Sequence, residues 1–516
     1  MLGRKTFEPK LFYQVSLEER VPEDHLLRRV AAAVDFGFVR RLTARFYSHT
    51  GQPRVDPVVL FRMALIGWLY GITSERRLAD ECRLNLAWMW FLGYDLDERA
   101  PDHSVLSKAR ARFGVTVYQA FFAEVVRQCE RAGLIRGDCL YVDSTLVEAN
   151  ASLASLGARA LVAQLAAVDE HLAAVWEENP TVAADSEGAP ASAGPASAPT
   201  APAGPVGPHL AGDGDPPNGR PGRANERAVS RTDPDAGLVS REGVPLDLYH
   251  KVHVGVDGGA ARIITAVDVT PGEVADEDLL DRLLKEHAGA TGRTVTEVVA
   301  DAKYGTYANY GALEAAGIRA SIPPHLGRGK TRAIPGELFV YDPAGDRFLC
   351  PAGQELRRQG TSCSARPGGG IIYRASPKVC GACPLRAECC GTAKARTITR
   401  PDDSGQYDRT RAYLRTAHAK RSIRLRKCWA ETVMAELKER HGLRRARCRG
   451  RAKVRIQAFG AAIAYNIKKL VRWRARRPQA PALAIRPGAL PPGARLPVHL
   501  GPVHHVCRHC QPFTQN

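Results

Sequence analysis

The order of the apolar runs between residues 136 and 324 constrains this chain more than any other feature. "DCLYVDSTLVEA", "LYHKVHVGVDGG" and "ARIITAVDVT" are strand-sized, and Asp257-Gly258-Gly259 joins the last two as a hairpin turn signal. A helix ("ADEDLLDRLLKEHAGA"), an apolar strand ("VTEVVAD"), a second helix ("YANYGALEAAG") and a short strand ("IRASIP") follow. The resulting order, βββαβαβ, predicts a mixed sheet flanked by helices.

Asp143 is out of place in that sheet. A strand that continues a central sheet should be uniformly apolar, and an ionised carboxylate within it suffers desolvation unless a cation pairs with it. Asp301 repeats the situation, closing "EVVA" just before the Lys303-Tyr304-Gly305 loop. No Arg or Lys stands beside Asp143 in the sequence, so a bound metal ion is the expected counter-ion. For either aspartate alone an N-cap or turn role is an equal alternative; two of them favour the metal. Asp257 and Asp268 also end strand-like runs, but the first suits the hairpin turn and the second a strand exit, so both rank lower.

A third acid belongs to the long helix "AHAKRSIRLRKCWAETVMAELKERHG", closed by Gly442. Arg424, Lys427, Glu431 and Lys438 share one stripe of that helix at about 100° per residue. Lys427 precedes Glu431, the weaker orientation for an i,i+4 pair, so a solvated, self-stabilised face explains the pattern poorly. A site that holds a metal on the glutamate and a phosphate on the cations explains it better.

These elements sit within a larger organisation. Residues 1–135 carry helical periodicity, with "PVVLFRMALIGWLYGI" (57–72) too short to cross a bilayer and interrupted by Arg62, hence a core helix. Pro101-Asp102-His103-Ser104 supplies an N-cap for "VLSKARARF". The sheet is expected over 136–178 and 231–324, with a helical stretch at 156–178 and a disordered Pro/Ala/Gly insertion at 179–230. A Cys-rich insertion of short strand-like pieces follows at 325–400. The glutamate helix and a final basic helix ("KVRIQAFGAAIAYNIKKLVRWRARR") occupy 401–477, and a Pro-rich, disordered tail 478–516. "MLGRKTFEPK" has no apolar core of a signal peptide, so a cytoplasmic location is expected, where thirteen cysteines serve as thiols or metal ligands.

Cys350, Cys380, Cys383 and one of Cys389 or Cys390 can supply four thiolates at the spacing of a tetrahedral Zn²⁺ site, which would staple an insertion poor in apolar residues. Scattered reduced thiols are the alternative. "HHVCRHC" (504–510), on the tail, is read as incidental. The net charge of +19 is concentrated in the C-terminal third and implies a polyanionic partner, unless it only reflects a basic proteome. Its position favours DNA: Lys438, Arg444, Arg445 and Arg447, within "KERHGLRRARCRGRAKVR" (438–455), directly follow the glutamate and suit phosphate-backbone contact. "DHSVLSKARARF" is a candidate major-groove helix.

A strand aspartate, an apolar strand ending in aspartate, and a helical glutamate followed by six residues and lysine resemble the DDE transposases of bacterial insertion sequences. In one large branch the last motif reads Tyr, two residues, Arg, three residues, Glu, six residues, Lys; this chain has Arg424 and Lys427 at the first two positions and matches at Glu431 and Lys438. "VPEDHLLRRV", "GITSERRLADE", "FLGYDLDERAPDHSVLSKARARF", "SRTDPDAGL", "VVADAKYGTYANYGAL" and "RGRAKVRIQAFGAAIAYNIKKL" also look like stretches of that family. The resemblance implies an α/β, ribonuclease-H-like core with a helical N-terminal DNA-binding domain. It also implies Asp143, Asp301 and Glu431 as catalytic residues holding two Mg²⁺ ions. Its partners would be double-stranded DNA, as element ends and target, and a second copy of the chain in the homodimer of a synaptic complex, and its cytoplasmic location would be nucleoid-associated. A nuclease of the same fold without strand transfer, and an inactive transposase-derived DNA-binding protein, are the rival readings.

Overall fold

The computed structural model describes residues 14–48, 55–164, 224–241, 243–324, 334, 336–362, 370–401 and 404–476. Met1–Trp473 form one compact unit; of the second, Arg474–Asn516, residues 474–476 are described. The expected tail at 478–516 and residues 179–223 of the expected insertion lie outside the described residues. The described residues begin again at Ala224, within the expected insertion, with a helix at Ala224–Arg227.

Seven helices open the chain: α1 (Leu17–Arg20), α2 (Leu26–Ala33), α3 (Gly37–Thr43), α4 (Pro57–Leu69), α5 (Glu75–Leu84), α6 (Leu86–Leu92) and α7 (His103–Arg131). Asp56 caps α4 by accepting from Val58 N, and Pro57 occupies the first turn, where its missing N–H costs nothing. Arg62 does not interrupt α4. Its guanidinium lies over the Phe36 and Phe91 rings at 4.8 and 5.2 Å and donates to Phe91 O at 3.0 Å, so the charge is absorbed by π faces and a carbonyl. Asp102 caps α7 as expected, accepting from Ser104 N at 2.9 Å. Gly114 (φ 66°, ψ 178°) breaks α7 into two helical segments.

The central sheet contains β1 (Cys139–Glu148), β4 (Gly237–Arg241), β5 (Val244–Asp257), β6 (Ile264–Pro271), β7 (Glu297–Val299) and β8 (Arg319–Ser321); a separate two-stranded pair is formed by β2 (Leu156–Ala158) and β3 (Ala228–Ser230), which follows α8 (Ala224–Arg227). β5 runs antiparallel to β1, while β1, β7 and β8 are parallel. β6 and β4 pair with successive parts of β5. The expected helices are α9 (Leu280–Thr291), after a 3₁₀ turn at Asp276–Leu279, and α10 (Tyr307–Ala315). The order βββαβαβ therefore holds, with β4 an addition that the sequence pattern missed. Strand alternation sends Leu140 and Val142 into a core under α9 and α10, and Tyr141 to the opposite face, into the larger core shared with the N-terminal helices.

The Cys-rich segment has more structure than its composition suggests. β9 (Val340–Asp342), β10 (Arg347–Leu349), β11 (Glu355–Ser362), β12 (Gly370–Ala375) and β13 (Thr397–Pro401) form an antiparallel sheet in that order. Phe339, Phe348, Leu356 and Tyr373 give it a core, against which α11 (Pro377–Gly381) and α12 (Arg386–Cys390) bring three buried cysteines.

The remaining helices are α13 (Ser404–Leu414), α14 (Ala417–Arg426), α15 (Thr432–Arg440) and α16 (Arg451–Ala475); a π-helical turn, Lys427–Glu431, joins α14 to α15. α16 is the expected final basic helix, with an apolar middle. Val454 through Ile467 are mostly buried, and the cations cluster at its two ends. Asn466, fully buried, donates to Ile264 O at 2.8 Å and accepts from Ile264 N at 2.9 Å, satisfying that edge of β6 as a neighbouring strand would. Gly460 lies directly under the Trp68 indole, so that a β-carbon there would run into the ring. Gly460→Ala is expected to destabilise the protein by about 1–3 kcal/mol through overpacking, despite the roughly 1 kcal/mol gained in helix propensity. A raised denaturation midpoint in that variant would show the contact to be soft.

Candidate active site

Asp143 is the fifth residue of β1, in the middle of the strand and opposite Val254 of β5, so it is neither an N-cap nor a turn residue. Asp301 follows β7 and does cap a 3₁₀ turn, Ala302–Tyr304, accepting from Lys303 N at 3.1 Å. Glu431 is the last residue of the π-turn.

The cation that the sequence does not supply beside Asp143 comes from the glutamate helix. Arg426 donates from Nη1 to Asp143 Oδ2 at 3.0 Å and from Nη2 to Glu431 Oε1 at 3.1 Å. Its side chain and that of Asp143 are 18% and 14% exposed, so that arm of the clasp is largely shielded from water, whereas Glu431, at 49%, is exposed. The π-turn makes it possible: i→i+5 bonding brings residues five apart onto one face, aligning Arg426 with Glu431. Trp429 anchors the turn by stacking on Tyr141 at 5.6 Å and donating to Gly259 O at 3.3 Å. Arg262 also lies over that indole, at 4.7 Å, and donates to Cys428 O at 2.8 Å.

The same turn overturns the single stripe expected of a regular helix. Arg424 is exposed and bonds Lys420 O at 3.3 Å; Lys427 is exposed; Lys438 is half-buried, and burial, then the nearby Arg444, lowers its pKa. Neither Arg424 nor Lys427 takes the position beside Glu431 that Arg426 fills. A sequence scan at helical spacing could not find Arg426, because the signal appears only at a spacing of five.

Electrostatics links the three carboxylates. Burial pushes the Asp143 carboxyl up to about 6; Arg426 opposes this, and the charges of Asp301 and Glu431 add to it. Lys303 Nζ stands 3.9 Å from Asp301 and 3.3 Å from Asp276, a buried carboxylate that no sequence pattern singles out. Burial would raise Asp276, yet Lys251 at 3.4 Å, the Ser144 hydroxyl and Lys303 together hold it below its ordinary value. Burial presses neighbouring His253 down to about 4, so it is neutral at physiological pH. Asp257 accepts from the N–H groups of Arg136, Gly137 and Gly259, and Asp268 pairs with Arg282 and Arg455; neither joins the cluster.

Among the described residues, no group of three or more His, Cys, Asp or Glu side chains stands arranged to hold a metal ion. The donor chemistry of Asp143, Asp301 and Glu431 nonetheless fits a hard divalent cation: all are carboxylates, and their mutual repulsion is what such an ion relieves. In the cysteine segment, Cys380, Cys389 and Cys390 are buried and Cys350 and Cys383 half-buried. Burial raises the Cys380 thiol, reinforced by Cys390 and Cys383; Cys389 is likewise raised by burial, with Cys380 and Cys350 contributing. Gln354 N–H points at Cys350 Sγ at 3.3 Å.

The Arg-rich turn after α15 is tied to the sheet. Glu148 N donates to Arg444 O at 3.2 Å and Ala446 N to Glu148 O at 2.8 Å, extending β1 by one bridge. Arg444 pairs with Glu439, Arg445 is exposed, and Arg447, expected at the surface, is turned inward and half-buried.

An acid whose native pKa lies above its ordinary value of 3.8 holds its proton more tightly when folded. Its contribution to stability is complete below about pH 4 and is lost as pH rises through 6. Asp143→Asn should therefore gain on the wild type between pH 4 and 7, by up to about 3 kcal/mol, since each tenfold change in proton affinity on folding is worth about 1.4 kcal/mol. Denaturant midpoints measured without divalent metal read this difference directly, and a gap that does not change with pH would contradict a desolvated Asp143.

Two segments of the chain match known protein families. Residues 15–112 match the family model described as a transposase domain (DUF772), and residues 349–471 that of a transposase DDE domain. No curated protein matches the chain. Among solved structures, a cryo-EM structure of a piggyBac transposase synaptic complex with hairpin DNA aligns over 88% of this chain and 80% of that one. It does so at 10% identity and a TM-score of 0.29, too slight a likeness to bear on the site. The two family matches cover the N-terminal helices and the helix that carries Arg426 and Glu431, and by them the chain carries two segments similar to transposase domains, the second of the DDE type.

Proposed function

We propose that this chain is a transposase that binds the inverted ends of its element, cuts them and joins them to target DNA, with Asp143, Asp301 and Glu431 as its catalytic carboxylates. The observation that carries the reading is the meeting of a strand aspartate and a helical glutamate on one guanidinium, with the charge of Asp301 felt at the same carboxyl. The mixed sheet of βββαβαβ order, with Asp143 on its central strand, supports a ribonuclease-H-like core. Two Mg²⁺ ions held by the three carboxylates would supply activation of a water or a DNA 3′-hydroxyl and stabilisation of the leaving oxygen.

The chain's own residues set up that chemistry. Arg426 holds Asp143 and Glu431 together before any ion binds, and Lys303 steadies Asp301 against Asp276. Lys251 and neutral His253 keep Asp276 buried behind the site. Exposed Arg424, Lys427, Arg444 and Arg445, with Lys438 behind them, offer phosphate-backbone contacts that are electrostatic and indifferent to sequence. Reading of the element ends falls to the N-terminal helices through the first half of α7. Two copies of the chain would act together on paired ends, in the nucleoid-associated cytoplasm. Among the described residues no helix is long and apolar enough to cross a membrane.

Cys350, Cys380, Cys383 and one of Cys389 or Cys390 are proposed to hold a structural Zn²⁺, supported by their mutual influence and by the N–H directed at Cys350 Sγ.

Two measurements test these assignments. Asp143→Asn should abolish cleavage of end-containing DNA, by at least about a hundredfold, while salt-sensitive binding persists; cleavage retained by the variant would remove Asp143 from the reaction. Purified protein should carry one zinc per chain, lost when Cys380 and Cys383 are both changed to Ser. Protein without zinc, or with zinc that survives those changes, would leave the cysteines as plain thiols.

A further inference from the structure

A cavity of about 270 Å³ opens between the start of α5, the first half of α7 and the turn leading into α16, and none of the three carboxylates lines it. Its lining includes apolar Trp68, Leu106 and Ile456 and charged Arg110, Glu75, Arg447 and Lys453.

Arg447 is the unusual member. Its Nε and Nη2 are buried and have no hydrogen-bond partner. A buried guanidinium without acceptors is costly, because the water it gave up is not replaced. The carboxylate in the lining makes no hydrogen bond to those atoms: Arg110 grips both oxygens of Glu75, Nη1 on Oε1 and Nη2 on Oε2, the latter at 3.2 Å, and Glu75 acts on Arg447 through its charge, which partly opposes the effect of burial. Arg447 is nevertheless held firmly in this position. Gln457 accepts from Arg447 N at 2.8 Å and donates to Gly442 O and Arg445 O at 2.8 and 2.9 Å, fixing the turn. Gly442, at φ 69°, leaves the space that the guanidinium uses; a β-carbon there would lie 2.6 Å from Nη2. The exposed ammonium of Lys453 borders the same opening. A planar fork with unused donors, next to a second cation, suits an acceptor that presents several oxygens at one charged centre.

We infer that this cavity is a binding site for a phosphate-class oxyanion, received by Arg447 and Lys453. Two sources share that chemistry: a phosphodiester of bound DNA and free inorganic phosphate. That DNA supplies it rests on the function proposed above; the anion site itself does not.

The test uses the full chain without divalent metal. Inorganic phosphate should raise the melting temperature of the wild type. Arg447→Met should abolish that response, and Lys453→Met should weaken phosphate binding about tenfold, the loss of one charge-assisted contact. If Arg447→Met does not fold, Lys453→Met, at an exposed position, carries the measurement. For a DNA source, phosphate competes with duplex binding, and Lys453→Met lowers the slope of log affinity against log salt by about one. Phosphate binding with an unchanged DNA slope assigns the site to the free anion. No stabilisation by phosphate, or equal stabilisation of wild type and both variants, overturns the site. Because no cleavage is measured, such a failure leaves the catalytic assignment standing, and loss of the catalytic assignment leaves the anion site standing.

Discussion

The guanidinium of Arg426, shared by Asp143 and Glu431, is the interaction on which the rest of the candidate site depends. It joins the central strand of the sheet to a helix some 280 residues later in the chain. A buried ion pair adds little net stability, since desolvation consumes most of the Coulombic gain, but removing one partner leaves a charge stranded. The clasp therefore acts less as a source of stability than as a constraint on register: only one placement of α14 and α15 against β1 satisfies all three charges. The π-turn, anchored by the contacts of Trp429 with Tyr141 and Arg262, is the local cost of that placement.

That constraint is met because the sheet is held rigidly from behind. α16 packs its apolar length against the face that carries Tyr141 and Val254, and Asn466 closes the hydrogen bonding at the start of β6. The N-terminal helices lean on the same helix through Trp68 over Gly460, and Trp68 O accepts from His441 at the end of α15. The two segments that match transposase family models thus share one core, and a change at Gly460 would be felt at both.

Charge is distributed by burial. Arg62 and Arg447 have both left the surface, but Arg62 rests on aromatic faces and a carbonyl, whereas Arg447 faces a cavity with donors unused. Asp268 and Asp276 are as buried as the core residues and are neutralised by cations from neighbouring elements. The net charge of +19 is therefore a poor guide to where an anionic partner would sit, because some of its members are internal.

The sequence by itself determined the order of the strands, the cap at Asp102, the turn at Asp257 and the stop at Gly442, since each depends on neighbours a few residues away. It also marked Asp143 as a carboxylate that a strand would not hold without reason. It could not reveal Arg426, because the i+5 relation to Glu431 exists only once the helix winds into a π-turn against β1. Nor could it separate buried cations from exposed ones in 438–455, or show that the lysines and arginines of α16 lie at the ends of an apolar helix. The five-stranded sheet around the cysteines was hidden for a related reason: its core is a few aromatic and aliphatic side chains, spread over about sixty residues, that meet only after the strands pair. Local preference is written in the chain, whereas the partner of a buried charge is decided by which distant surfaces the core brings together.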